Sequence, residues 1–153
     1  MMKRRKLRKA SLGSISSATL NPSDLFSAFL WECQHIRLTK AERNTVRRIA
    51  ADRATDDETA DERLANDVQE LTEILEANAP AYAYFGAHPG DGADFGFWLS
   101  TDSLEETFDG LRVNDTSEVP RGYSGEVLHV NDHGNLTLYV ASRGRLREVW
   151  GVV

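Results

Sequence analysis

Cysteine occurs once in the 153 residues, as Cys33. That excludes an intramolecular disulfide and any zinc site built from several cysteines of one chain. It also makes a reducing, cytoplasmic setting the expectation. Long apolar runs are missing as well. Stretches such as Phe29-Leu30-Trp31 are far too short to span a bilayer, so no membrane partner is expected. The first nine residues are basic, yet Ala10 to Ala18 is mostly Ser with scattered Ala, Leu and Ile, where a secretion signal needs a continuous apolar stretch. No Gly-x-Gly-x-x-Gly opens a helix, no phosphate loop ends in Gly-Lys-Ser/Thr, and no Ser sits in a Gly-x-Ser-x-Gly elbow. Asp91 to Asp94 is too short for a calcium loop of the EF-hand kind.

What is present suits a folded domain. Apolar residues make up 41% and charged residues 27%, ordinary for a globular chain long enough to bury a core. The net charge of -6 conceals a polarity. Residues 1–48 hold 11 Lys/Arg against 3 acids, a net of +8, and the rest hold 7 Arg against 21 acids, a net of -14. Such a basic arm on an acidic body can touch nucleic acid or fold against its own acidic face.

The pattern predicts a flexible basic and Ser-rich arm over 1–19, then one α+β domain over 20–153, helical over 20–79 and mostly strands over 80–153. Asn21-Pro22-Ser23-Asp24 reads as a helix start, with Asn21 as cap and Pro22 in the first turn. Leu25, Phe29, Cys33 and Ile36 follow at helical spacing, with Phe26 and Leu30 beside them and Trp31 off the stripe. Thr39-Lys40-Ala41-Glu42 is a capping box opening a second helix to about Arg53, and Thr55 to Glu58 repeats it for a third helix ending near Asn78. Ser103 to Phe108 reads as a short helix capped by Ser103. Tyr82 to Ser100 reads as an aromatic hairpin, and Leu111-Arg112-Val113 as a short strand. Three runs, 126–130, 136–140 and 146–153, joined by links containing Gly134 and Gly144, read as an antiparallel meander. The expected architecture is about three N-terminal helices on one face of a roughly five-stranded antiparallel sheet.

Three readings of function follow. The first is a non-enzymatic protein-interaction module, of the kind a mobile element encodes to inhibit or antagonise a host protein. It would bind through the acidic helical face (Asp56, Asp57, Glu58, Asp61, Glu62) or the aromatic hairpin (Tyr84, Phe97, Trp98). From Asp52 to Glu76 there are ten acids and two Arg, which serve either as a solvated helix face or as a surface for a basic partner. The second is a divalent-metal site or metal-dependent hydrolase that uses His88, Asp91 and Asp94 from one loop with His129, Asp132 and His133 from another. The same residues are also what tight turns contain, because Asp and Asn bond their own backbone and Gly supplies positive φ. The third is nucleic-acid binding through Lys3, Arg4, Arg5, Lys6, Arg8 and Lys9. No complete catalytic motif is present, and Cys33, on an apolar helical stripe, reads as a small core residue rather than a nucleophile.

Some stretches carry a family likeness. Asp24-Leu25-Phe26-Ser27-Ala28-Phe29, then Tyr84-Phe85-Gly86-Ala87-His88-Pro89-Gly90-Asp91-Gly92-Ala93-Asp94-Phe95-Gly96-Phe97-Trp98, then Gly125-Glu126-Val127-Leu128-His129-Val130-Asn131-Asp132-His133-Gly134-Asn135 and the Glu148-Val149-Trp150 ending resemble a small uncharacterised family of bacterial, phage and plasmid proteins. The resemblance implies no activity and carries over no catalytic residues. The Gly-Asp-aromatic hairpin after N-terminal helices is also similar to one family of bacterial immunity proteins, a likeness that stops at Ser100 and implies a binding role.

Overall fold

The computed structural model describes residues 7–52 and 60–153. The chain divides into two compact units, Met1–Leu99 and Ser100–Val153. Both mix helix and strand, so the α+β class holds. The finer expectation does not. Among the described residues there are four α-helices and two sheets, of three and four strands, in place of three helices on one five-stranded sheet.

The first unit opens with β1 (Gly13–Ser16), α1 (Pro22–His35), α2 (Lys40–Asp52) and α3 (Ala60–Ala77), and closes with the hairpin β2 (Ala83–His88) and β3 (Asp91–Leu99). Asn21 caps α1 through its side chain, which accepts from Ser23 N–H at 2.9 Å, with Pro22 in the first turn. The capping box of α2 is reciprocal: Thr39 N–H donates to Glu42 at 2.9 Å and Glu42 N–H donates to the Thr39 hydroxyl at 3.1 Å. Asn78 then donates to the other Glu42 oxygen at 2.8 Å, tying the end of α3 to the start of α2. The stripe Leu25, Phe29, Cys33 and Ile36 is buried as spaced, together with Phe26, Val46, Ile49, Leu71, Ile74 and Leu75.

β1 corrects the expected flexible arm over its described part. The three strands run β1-β3-β2, all antiparallel, with Gly13 opposite Phe97 and Ser14 opposite Gly96. The approach is close because Gly96 has no side chain, and a Cβ there would lie 2.1 Å from the Gly13 carbonyl oxygen. A four-residue Ser/Gly strand has no apolar alternation to announce it, so its place in the sheet is set by the partner strand.

The second unit holds α4 (Thr101–Thr107), β4 (Leu111–Val113), a 3-10 turn (Thr116–Glu118), β5 (Gly125–Val130), β6 (Leu136–Ser142) and β7 (Arg145–Val152). The cap of α4 is Ser100, whose hydroxyl accepts from Ser103 N–H, and not Ser103 as its spacing to Glu106 suggested. The sheet order is β4-β5-β6-β7. The meander β5–β7 is as expected, with Gly134 (φ 78) and Gly144 (φ 76) at the positions that need left-handed backbone. β4 lies parallel to β5, so the sheet is mixed. A parallel neighbour needs a crossover, and residues 114–124 supply it. Val119 and Tyr123 of that crossover pack on the buried row Val113, Val127 and Ala141. On the sheet's other face Leu128, Leu138 and Trp150 form a second buried row across adjacent strands. No helix among the described residues is long and apolar enough to cross a membrane.

Candidate functional site

The β2–β3 hairpin sorts its aromatics by strand alternation. Phe85 faces Phe97, and Phe95 faces Ala87, on the side of the helices. Their rings meet Phe29 edge-on at centroid distances of 5.0 Å for Phe85 and 5.8 Å for Phe95. Phe97 is 0% exposed. It is therefore a core residue and not the partner-contacting residue its position in the aromatic run suggested. Tyr84 pairs with Trp98 on the opposite side, beside Gly86. Trp98 donates its Nε1–H to the Gly86 carbonyl at 2.9 Å, and the Tyr84 hydroxyl donates to the Ala87 carbonyl at 3.2 Å. The His88 ring stands edge-on against Trp98, with centroids 4.7 Å apart. Tyr84 and Trp98 are half-buried and His88 is exposed. The result is a small aromatic platform whose polar atoms are already fastened to its own backbone.

The loop groups proposed for metal are engaged locally. His88 Nδ1 accepts from Gly90 N–H at 2.9 Å, Asp91 accepts from Ala93 N–H at 3.0 Å, and Asp94 accepts from the Ser14 hydroxyl. In the second unit His129 Nε2 meets the Asn114 carbonyl at 3.0 Å. Asn131, which the sequence did not single out as the key residue of its turn, accepts from the N–H groups of His133 and Asn135 at 2.9 and 3.0 Å. An Asx residue that precedes a Gly-containing turn is the signal that finds it. Asp132 and His133 lie exposed in the same turn. Among the described residues no group of three or more His, Cys, Asp or Glu is placed to hold a metal ion.

The acidic stripe is partly spent inside the fold. On α3, Glu70 pairs with Arg48 at 2.6 Å, Glu76 accepts from Phe85 N–H at 2.6 Å, and Asp67 is buried. Burial, then Glu70, pushes the Asp67 carboxyl above its ordinary range, with Arg48 opposing. Asp61, Glu62 and Glu73 remain exposed. Asp56, Asp57 and Glu58, with their capping box, lie outside the described residues.

Of the basic positions, Lys3, Arg4, Arg5 and Lys6 also lie outside the described residues, and Lys9 is exposed. Arg8 is committed to the fold. It binds both oxygens of Glu32, at 2.8 and 2.9 Å, and its backbone pairs with His35 and Arg37. Both bonds come from one guanidinium nitrogen, and Glu32 is only 4% exposed, so this ion pair neutralises a buried carboxylate. Cys33 is buried too. Desolvation, then Glu32 and Glu42, pushes its thiol up to about 12, which keeps it protonated at neutral pH and unsuited to nucleophilic attack.

In comparisons with known proteins, no family model, no curated protein and no solved structure matches this chain. The family resemblance drawn from the hairpin motifs therefore rests on those residues alone.

Proposed function

We propose that this chain is a non-enzymatic interaction module that engages a protein partner through the Tyr84–His88–Trp98 face of its β2–β3 hairpin, with inhibition or antagonism of that partner as its action. The observation that carries the reading is the Trp98 indole, fixed by its bond to Gly86 O and by the His88 ring. A large aromatic group held rigid before binding loses little entropy on contact, and such groups dominate protein interfaces. The acidic-face version rests on the exposed Asp61 and Glu62, because Asp56, Asp57 and Glu58 lie outside the described residues and Glu70, Glu76 and Asp67 of the same helix serve the fold.

The test is quantitative capture from cell extract by wild-type protein, a Trp98→Ala/His88→Ala variant and an Asp61→Lys/Glu62→Lys/Glu73→Lys variant, each first shown to melt as the parent does. The expected result is that a specific protein is retained by the parent and by the charge-reversed variant but lost with the aromatic pair. Unchanged capture by the aromatic variant would sink the proposal. Elemental analysis of the same preparations adds a second arm, because a stoichiometric divalent metal lost on His88→Ala would turn the hairpin from a binding face into a metal site.

A further inference from the structure

The β6–β7 end of the second unit combines three features that its turn chemistry does not require. First, β7 is an edge strand. Its two-residue turn, Arg143 (φ 53) and Gly144 (φ 76), makes Ser142 and Arg145 the closing pair, followed by Ala141 with Leu146 and Val140 with Arg147. In such a hairpin the closing pair and every second pair exchange ladder hydrogen bonds. The N–H and C=O groups of Leu146 and Glu148 therefore point to the outer edge, where the sheet has no further strand among the described residues.

Second, a cleft of about 210 Å³ opens beside that edge, between the 114–124 crossover and the turn. Its apolar lining includes Val119, Tyr123, Ala141 and Leu146, and Arg121 and Arg145 flank it. The volume suits one apolar side chain. Third, the charge is uncompensated. Arg121, Arg145 and Arg147 are exposed and make no ion pair among the described residues. Arg145 and Arg147 project from one side of the strand, with Leu146 between them on the other.

We propose that the outer edge of β7 from Arg145 to Glu148, with the cleft beside Leu146, receives an extended acidic–apolar–acidic segment of a protein partner as an added strand. Main-chain bonds to Leu146 and Glu148 supply the pairing, carboxylates opposite Arg145 and Arg147 supply the charge match, and the apolar residue between them reaches the cleft. The same residues argue against a second copy of this chain as the occupant. In a two-fold strand pair, opposing residues share a face. Centring the pair on Arg145, Leu146, Arg147 or Glu148 sets like charges opposite each other, which destabilises a sheet, so a second copy is disfavoured at the segment that the proposal uses, and only centres further along β7, at Val149 or Trp150, avoid the clash.

The probe is a short labelled peptide alternating Glu and Val, followed by fluorescence anisotropy on the full chain. Controls are the same peptide with Lys for Glu, the peptide N-methylated on alternate residues, an Arg145→Glu/Arg147→Glu variant, and Arg47→Glu, which makes a charge change on α2. The expected result is saturable binding weakened at least about tenfold by the double reversal and by N-methylation, absent with the Lys peptide, and unchanged in Arg47→Glu. If the double reversal does not fold, Arg145→Gln/Arg147→Gln replaces it, with a smaller loss expected. Absence of binding, or equal binding by the N-methylated peptide, overturns strand addition. A dimer in sedimentation that the double variant dissociates gives the edge to a second copy and overturns the proposal as well.

Discussion

In the first unit polar side chains reach far along the chain. Arg8 reaches 24 residues to Glu32, Asn78 reaches 36 to Glu42, and Ser14 reaches 80 to Asp94. In the second unit, apart from His129, whose ring reaches back 15 residues to the Asn114 carbonyl, they fasten the turns they belong to. Asn131 holds His133 and Asn135, Asp115 holds Ser117, and the Tyr123 hydroxyl donates to the Glu126 carbonyl. The sheets differ in the same sense. β1-β3-β2 requires a strand from the start of the unit to find one at its end, whereas β5, β6 and β7 lie beside one another in chain order. The first unit is thus specified by pairs of distant residues and the second by local turn chemistry, so single substitutions should cost more in the first.

Phe29 is the largest test of that difference. Its ring joins α1 to both strands of the aromatic hairpin through Phe85 and Phe95. Phe29→Ala should destabilise the chain by about 3–5 kcal/mol, the usual cost of emptying an aromatic site in a packed core. Denaturant titration followed by tryptophan fluorescence would read it. A loss under about 1 kcal/mol would mean that the cluster collapses around the gap and that the hairpin does not depend on α1.

Arg8→Ala comes next. It leaves the Glu32 carboxylate buried without its charged partner, which should cost about 2 kcal/mol, below the figure for a fully buried pair because the Arg8 side chain is 46% exposed. Arg8→Lys should cost less than Arg8→Ala, since an ammonium keeps the charge and loses the second guanidinium nitrogen's bond to the Lys9 carbonyl. A neutral Arg8→Ala would put Arg8 back among the solvated basic residues and remove the sharpest long-range link in the unit.

Legibility in the sequence divides between local and distant signals, and not between the two units. Asn21-Pro22, the Thr39–Glu42 box, the α1 stripe and the Gly134 and Gly144 turns were all readable, because each signal lies within one turn of helix or one hairpin. Gly13–Ser16 was not, because a short Ser-rich strand acquires its identity from Phe95, Gly96 and Phe97 opposite it. The parallel placement of β4 was hidden for a similar reason. Leu111-Arg112-Val113 reads as a strand, but only the crossover at 114–124 decides its direction. At the candidate site the aromatic run was visible, but which residues are buried depended on register. Slipping the pairing by one residue would exchange Phe97 for Trp98.

The smallest effect tests whether the long-range links are electrostatic at all, and it uses two carboxyls displaced in opposite directions. Burial opposes ionisation of Glu42, but bonds from the Thr39 N–H, the Asn78 amide and the Thr39 hydroxyl outweigh it and hold the carboxyl below its ordinary range. A depressed carboxyl stabilises the fold above its unfolded pKa, and the contribution is lost as pH falls through the folded value. Asp67 is the reverse, raised by burial and by Glu70, so its ionisation costs stability above the folded pKa and the cost disappears as pH falls back to the ordinary aspartate range. Melting curves across acidic pH should therefore show Asp67→Asn more stable than the parent at neutral pH, with the advantage fading above the ordinary carboxylate value. Glu42→Gln should be less stable at neutral pH, with the deficit fading only below that value. Two mutants whose differences from the parent do not move with pH would show that shape, and not charge, makes the α2–α3 link.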